Sequence, residues 1–203
     1  MHTVPQSVIQ KCIDEYESFS SYSKDYMNIA SPSQEIRDLI TQYAIEATGQ
    51  KLVCNSGNYY KHDFPYLPHT DYECNKNNTL NITIPLWVDS EDDVRLLVFD
   101  QIYEGAWPVC WMLHHPLYTL SGAIALPGCP NDYPLLNKTD EPIPDDLYRF
   151  VNIYEKDHFF GLSGTAHKYK PGNMLIFNNQ AVHCTSKFNG WKMGISLRFA
   201  VEI

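Results

Sequence analysis

The C-terminal stretch PGNMLIFNNQAVHCTSKFNGWKMGISLRF, residues 171–199, is the part of the sequence that indicates the fold most clearly. Its last eight residues, 192–199, alternate apolar side chains with polar or small ones, and this period of two predicts a β-strand with two unlike faces. One of these faces carries Lys192, Ser196 and Arg198. Either exposure to solvent or an anion site inside a barrel would explain such a face.

Short β-rich runs separated by turn residues fill the chain after residue 50. The predicted strands are Lys51–Ser56, Leu80–Val88, Val94–Phe99, Tyr118–Ala125, Tyr148–Tyr154, Met174–Phe177, Ala181–Ser186 and Lys192–Glu202. About eight short strands after a helical segment predict a mainly β fold, a sandwich or jelly roll of antiparallel strands.

The first fifty residues predict two helices that pack on one sheet. In the first, apolar side chains recur at helical spacing at Val8, Ile9, Cys12, Ile13 and Tyr16. In the second, Ser31 is the predicted N-cap, Pro32 fits the first turn and Gly49 is the predicted stop.

A chain of 203 residues suits one compact domain. We therefore predict a single domain over residues 1–203, with a helical segment at 1–50 and a jelly-roll core at 51–203. A stretch at about 100–146 contains seven prolines and predicts an insertion over one end of the barrel. Such a loop either shapes a substrate pocket or is a structural flap.

The composition excludes some classes of partner. Lys and Arg together number 15 against 24 Asp and Glu, so the net charge of −9 makes nucleic acid an improbable partner. No apolar run is long enough to span a membrane or act as a secretory signal, and the six cysteines lack CxxC spacing. We interpret them as reduced cysteines of a cytoplasmic protein without a membrane partner. The oligomeric state is left open.

Three residues have the chemistry of a metal site. His69 and Asp71 are two positions apart, so in an extended segment both point to the same face. That pair alone is uninformative, because a chain with eight histidines contains about one such pair by chance. With His183 on a separate strand, it would form the two-histidine, one-carboxylate triad typical of non-haem Fe(II) oxygenases. A dicarboxylate cosubstrate would then need a cation, either Lys192 or Arg198.

The remaining histidines fit this scheme less well. Three lack partners at ligand spacing, and we interpret them as surface or hydrogen-bonded residues: His62, His158 and His167. The neighbouring His114 and His115 would face opposite ways on a strand, so they are not expected to share a metal.

Four stretches together resemble the superfamily of 2-oxoglutarate- and Fe(II)-dependent dioxygenases, in particular its phytanoyl-CoA hydroxylase and prolyl hydroxylase branches. They are PHTDYE at 68–73, NITIPLW at 81–87, PGNMLIFNNQAVH at 171–183 and KMGISLRF at 192–199. The resemblance implies a double-stranded β-helix, which is a cupin-like jelly roll. It also implies an oxidoreductase that uses Fe(II), 2-oxoglutarate and O2 and releases succinate and CO2.

The resemblance also implies roles for individual residues. His69, Asp71 and His183 match the iron ligands. Lys192 matches the Arg or Lys that pairs with the distal carboxylate of 2-oxoglutarate. The positions that match assisting groups are Ser196 for a hydroxyl, Arg198 for a second anchor, and Tyr59 or Tyr60 for a further hydrogen bond.

The expected substrate is a small molecule or an amino-acid-like compound that is hydroxylated at an unactivated C–H bond. Two alternatives stay open at this point. One is a hydroxylase of a protein side chain, of prolyl type. The other is a jelly roll without this activity, either a non-catalytic ligand-binding domain or a cupin-like metal-binding protein that does not use 2-oxoglutarate.

Overall fold

The structure, a computed structural model, describes residues 2–19, 30–66, 68–71, 79–103, 135–137, 139–153 and 155–202. In chain order its elements are β1 His2–Thr3, α1 Gln6–Ser18, α2 Gln34–Thr48, β2 Leu52–His62, β3 Leu80–Asp89, β4 Arg95–Tyr103, β5 Leu135–Leu136, α3 Asp145–Tyr148, a 3-10 helix Lys156–Phe159, β6 Gly164–Lys168, β7 Asn173–Asn178, β8 Ala181–Thr185 and β9 Trp191–Val201. No helix among these residues is long and apolar enough to cross a membrane.

Strand β9, predicted from its alternation, is an inner strand of a five-stranded sheet with the order β1-β7-β3-β9-β2. All its pairings are antiparallel, and β9 lies between β2 and β3. Ser196 is opposite Asn58 on β2 and Thr83 on β3, while Lys192 is opposite His62. The register therefore brings polar residues of three strands onto one face of the sheet.

The second sheet is built around β4, which pairs with β6 and β5 and also with β8. All these pairings are antiparallel, and Val98 on β4 lies opposite His183 on β8. The mainly β, antiparallel architecture predicted from the sequence is thus confirmed.

The apolar face of β9 packs against the two N-terminal helices. Helix α1 contributes Ile9 and α2 contributes Ile40, and both lie in one buried cluster with Ile195 and Phe199 of β9. Complete burial of such side chains contributes about 1.5–3 kcal/mol each. Helix α2 ends as predicted at Gly49, whose left-handed backbone has a φ of 67°.

Two further apolar clusters complete the core. One covers the second sheet and joins β4 and β8 to α3 and the 3-10 helix through Leu97, Phe99, Ile143, Leu147, Val151, Phe159, Leu162, Val182 and Cys184. The other contains Val94, Leu96, Tyr169, Leu175, Phe177, Ala181 and Phe188, from β4, β7 and β8 and the segments next to β4, β6 and β8.

Three expectations about local structure need correction or stay untested. The N-cap of α2 is Ser33, whose hydroxyl accepts from Ile36 N, and not Ser31. The predicted strand Tyr148–Tyr154 is wrong, because α3 starts after Pro144 and turns follow it. Most of the proline-rich insertion, with His114, His115 and the predicted strand Tyr118–Ala125, lies outside the described residues.

Candidate metal centre

His69 and His183 are brought together by backbone pairing. Each residue donates its N–H to the carbonyl of the other at 2.9 Å, which forms an isolated antiparallel bridge. Side chains of directly opposed residues lie on the same face of an antiparallel pair. The two imidazole rings accordingly have their centroids 4.2 Å apart.

Asp71 completes the cluster from two positions further along the same segment. One carboxylate oxygen, Oδ2, lies 3.4 Å from His183 Nε2, and the other, Oδ1, lies 3.8 Å from His69 Nε2. All three ligand atoms lie within 4.8 Å of one another, and His183 is buried while the other two are partly buried. This donor set, two imidazole nitrogens and one carboxylate oxygen, fits a divalent transition metal of the iron type.

The Asp71 carboxylate has a protein donor on each oxygen. Arg198 Nη2 donates to Oδ1 at 3.2 Å, and the side-chain amide of Asn81 donates to Oδ2. Burial alone would raise the pKa of Asp71, but Arg198 and the two histidines outweigh burial and hold the pKa well below its ordinary value. Asp71 is therefore anionic at neutral pH.

The tautomer of His183 is determined by its second nitrogen. Nδ1 lies 3.0 Å from the carbonyl oxygen of Ala181, which can only accept, so Nδ1 carries the proton. Nε2, which faces Asp71, is then the ring nitrogen that remains available to a metal. Phe177 and Tyr66 place rings 4.8 Å and 4.6 Å from the rings of His183 and His69, respectively, and narrow the access of water.

Lys192 is the second cation of the site, and it is only 2% exposed. Its ammonium donates to Thr185 Oγ1 at 2.8 Å and lies over the rings of Tyr60, Tyr169 and Phe188, at 5.4, 4.7 and 5.7 Å from their centroids. These contacts offset part of the cost of burying a charge. Burial nevertheless lowers the pKa of Lys192 from 10.5 to about 7.

A cavity of about 180 Å³ lies between the cluster of His69, Asp71 and His183 and the group formed by Lys192 and its partners. Its walls include both groups of residues, and the lining residues are Asn58, Tyr60, Lys61, His62, Tyr66, His69, Asp71, Thr83, Leu96, His183, Thr185, Lys192, Ser196 and Arg198. An apolar cavity of about 150 Å³ is large enough to hold benzene. The space is therefore large enough for a small acid.

Gly194 makes room for a tyrosine pair at the wall of this cavity. The hydroxyls of Tyr60 and Tyr169 are hydrogen bonded at 2.7 Å. A Cβ on Gly194 would lie 2.3 Å from the first hydroxyl and 2.5 Å from the second, so any side chain there would displace the pair. Tyr59, by contrast, is fully buried in the helix-facing core and donates to Glu15, which places it away from the cavity.

Of the residues that the sequence singled out for the site, the structure brings all except the alternative Tyr59 to one cavity: Tyr60, His69, Asp71, His183, Lys192, Ser196 and Arg198. Exposure to solvent is the wrong explanation for the polar face of β9, because Lys192 and Ser196 are both buried. Two side chains have other partners than the resemblance implied. Ser196 donates to Asn81 Oδ1 at 2.9 Å, and Arg198 contacts Asp71 and Asn58.

Thr185, Asn81 and His62 are among the residues of the site that sequence reasoning missed. Thr185 lies two positions after His183 on the same strand, so the strand period would have placed it on the same face. Asn81 is a polar residue at the start of an otherwise apolar run, which is also a usable signal. His62 lines the cavity, although its Nδ1–H donates to the Phe64 carbonyl at 2.7 Å, as expected for a hydrogen-bonded histidine.

The chain has the fold of the 2-oxoglutarate-dependent iron oxygenases, so the resemblance seen in the sequence is confirmed at the level of the fold. No family model and no curated protein matches the sequence.

Three solved structures illustrate the likeness. The epimerase SnoN, in complex with Fe3+, α-ketoglutarate and nogalamycin RO, is 12% identical with a TM-score of 0.55, over 99% of this chain and 78% of SnoN. HygX from Streptomyces hygroscopicus, with nickel, 2-oxoglutarate and hygromycin B bound, is 9% identical with a TM-score of 0.52, over 100% and 81% of the two chains. A prolyl-4-hydroxylase from Pseudomonas putida is 10% identical with a TM-score of 0.50, over 100% and 90%.

Proposed function

We propose that this chain is a 2-oxoglutarate- and Fe(II)-dependent oxygenase that oxidises a C–H bond of a small molecule or amino-acid-like substrate. The observation that carries the proposal is the convergence of His69, Asp71 and His183 at one end of a cavity whose other end holds Lys192. Hydroxylation is the outcome that the sequence resemblance implies.

The metal ligands would be the Nε2 atoms of the two histidines and one oxygen of Asp71. His183 is already in the tautomer that leaves Nε2 for a metal, because its Nδ1–H donates to Ala181. Bound iron would supply the oxidising power that O2 and 2-oxoglutarate generate together, with succinate and CO2 as the coproducts.

Lys192 is the proposed anchor for the distal carboxylate of 2-oxoglutarate. Thr185, its hydrogen-bond partner, follows His183 by two residues on β8, which at about 3.3 Å per residue corresponds to a separation of roughly 7 Å. A five-carbon chain with C–C bonds of about 1.5 Å can bridge such a distance. Tyr60 packs on the ammonium and completes this end of the cavity.

The comparisons support a small-molecule substrate without naming it. SnoN and HygX were solved with nogalamycin RO and hygromycin B, whereas the third neighbour is a prolyl-4-hydroxylase. The likeness to the prolyl-4-hydroxylase supports a protein side chain as the alternative substrate. Assays with a panel of small molecules and with proline-containing peptides would separate the two classes.

The decisive experiment measures release of succinate from 2-oxoglutarate by the full chain with Fe(II), ascorbate and O2, with and without candidate substrates. We expect release in the unmodified chain and none in His183→Ala, which loses a metal ligand. Unchanged turnover in that variant would refute the proposal. Metal binding without affinity for 2-oxoglutarate would instead indicate a cupin-like protein, and binding of both without turnover a non-catalytic one.

A further inference from the structure

We propose that Asn81 is a positioning residue that holds the Asp71 carboxylate in the orientation required for metal binding. The inference rests on the proposed metal site and adds to it a residue for which no role was predicted from the sequence. Asn81 is not itself a metal ligand. It acts through Asp71, from the side opposite Arg198.

The first argument is the way in which the carboxylate is held. Asn81 Nδ2 donates to Asp71 Oδ2, while Arg198 Nη2 donates to Oδ1 at 3.2 Å. Each carboxylate oxygen offers about two acceptor positions, so one position per oxygen remains, and these oxygens lie close to His69 and His183. With a donor fixed on each oxygen, the carboxylate cannot rotate without breaking a hydrogen bond.

The second argument is that Asn81 is itself fixed. Its side chain is fully buried, and its Oδ1 accepts the Ser196 hydroxyl at 2.9 Å. The carboxylate of Asp71 can only accept, so the amide nitrogen must face Asp71 and the amide oxygen must face Ser196. The amide therefore has one permitted orientation, which Asp71 selects, and Ser196 donates to the amide oxygen in that orientation.

The third argument is the cost of an amide at this position. Asn81 lies on β3 between β7 and β9, opposite Phe177 and Arg198, in a strand that is apolar on its other face at Ile82 and Ile84. A leucine would be buried there more cheaply than an amide, which loses its hydration. The amide lies where its N–H reaches Asp71, the one carboxylate of the candidate metal site.

The experiment is a calorimetric titration of the metal-free full chain with Co(II), a divalent ion that suits the same nitrogen and oxygen ligands. Asn81→Leu removes the amide at similar size, and we expect it to weaken Co(II) binding about 10–100-fold, the usual effect of losing the partner of a metal ligand. Gln101→Leu is the matched control. Gln101 is an equally buried amide that bonds Ser163 and Asn137 and does not line the cavity.

Two further readouts separate positioning from a merely structural role. At saturating Co(II), the visible absorption of the ion should change in Asn81→Leu and stay unchanged in Gln101→Leu, because only the first alters the coordination geometry. Ser196→Ala should weaken Co(II) binding by less than Asn81→Leu. If Ser196→Ala weakened only the binding of 2-oxoglutarate, the hydroxyl would serve the cosubstrate. The inference that Ser196 fixes the Asn81 amide for metal binding would then be overturned.

The outcomes also distinguish this inference from the proposed function. An unmodified chain that binds no Co(II), Fe(II) or Mn(II) would overturn both. An unmodified chain that binds metal, together with an Asn81→Leu variant that binds it within twofold and with the same spectrum, would overturn the positioning role alone.

Discussion

Lys192 and Arg198 lie on the same face of β9, six residues apart, yet only Arg198 contacts a charged partner. Arg198 contacts the Asp71 carboxylate and the Asn58 amide. Lys192 contacts a neutral hydroxyl and three aromatic rings, and among the described residues no carboxylate contacts it. A cation that is already neutralised by a fixed carboxylate has little attraction left for an incoming anion. The difference therefore favours Lys192 as the group that binds the cosubstrate.

The largest expected effect follows from removing the charge of Lys192. Lys192→Met keeps the length of the side chain but loses the ammonium, so the distal carboxylate of 2-oxoglutarate would be buried without a charged partner. We expect the KM for 2-oxoglutarate to rise about 100-fold at saturating Fe(II), measured by succinate release over a range of cosubstrate concentrations.

Arg198→Gln is the variant with which the KM of Lys192→Met for 2-oxoglutarate is compared. Since the guanidinium is committed to Asp71 and Asn58, the KM for 2-oxoglutarate should change by less than about threefold. A large rise in this variant together with a small one in Lys192→Met would reverse the assignment of the anchor, while leaving the metal ligands as proposed.

A second, smaller effect concerns pH. Burial lowers the pKa of Lys192 to about 7, so above that pH the amine is mostly neutral in the empty site and must take up a proton to bind a dianion. The dissociation constant of 2-oxoglutarate should therefore rise roughly tenfold from pH 7 to about pH 8.5. Lys192→Arg stays charged over this range and should give a nearly flat profile. An equal pH dependence in both chains would assign it to another group.

Four titratable side chains close to Lys192 are not expected to contribute to this pH dependence. The pKa of His62 lies well below its ordinary value, because the ring is buried beside Lys192. Burial raises the pKa values of Tyr60, Tyr169 and Cys184. None of these four is expected to change its charge between pH 7 and pH 8.5.

The sequence predicted those features of the site that depend only on the local repeat of a strand, which determines the face on which a side chain lies. The spacing of His69 and Asp71 placed both on one face, and the alternation of β9 placed Lys192 and Ser196 on another. The contact of Asn81 with Asp71 depends instead on how β3 aligns with β9 and how the segment at 68–71 pairs with β8. Register between distant segments is set by tertiary packing, so a single sequence does not reveal it.

The error at Tyr148–Tyr154 has a related cause. The segment is rich in β-forming side chains, which favours a strand by propensity. The structure instead buries Leu147 and Val151, four positions apart, in the cluster that covers the second sheet. That spacing belongs to a helical turn, and α3 begins where Pro144 and two aspartates favour a helix start. Packing against the sheet therefore overrides the β propensity of this segment.

The smallest predicted effect is on stability and follows from the same buried ammonium. In the unfolded chain the amine of Lys192 has its ordinary pKa of 10.5, whereas the folded environment lowers the pKa to about 7. The charge thus opposes folding fully below about pH 7, and this penalty fades as the pH rises toward 10.5.

Lys192→Met should raise the free energy of unfolding of the metal-free chain by about 1 kcal/mol at acidic pH, after the loss of the Thr185 hydrogen bond is included. Urea denaturation near pH 6 and near pH 9 measures this, and the gain should shrink at the higher pH. A variant no more stable than the unmodified chain near pH 6 would mean that the aromatic rings and Thr185 fully compensate the buried charge. Lys192 and Arg198 would then differ in their partners but not in the effect of their charges on the free energy of unfolding.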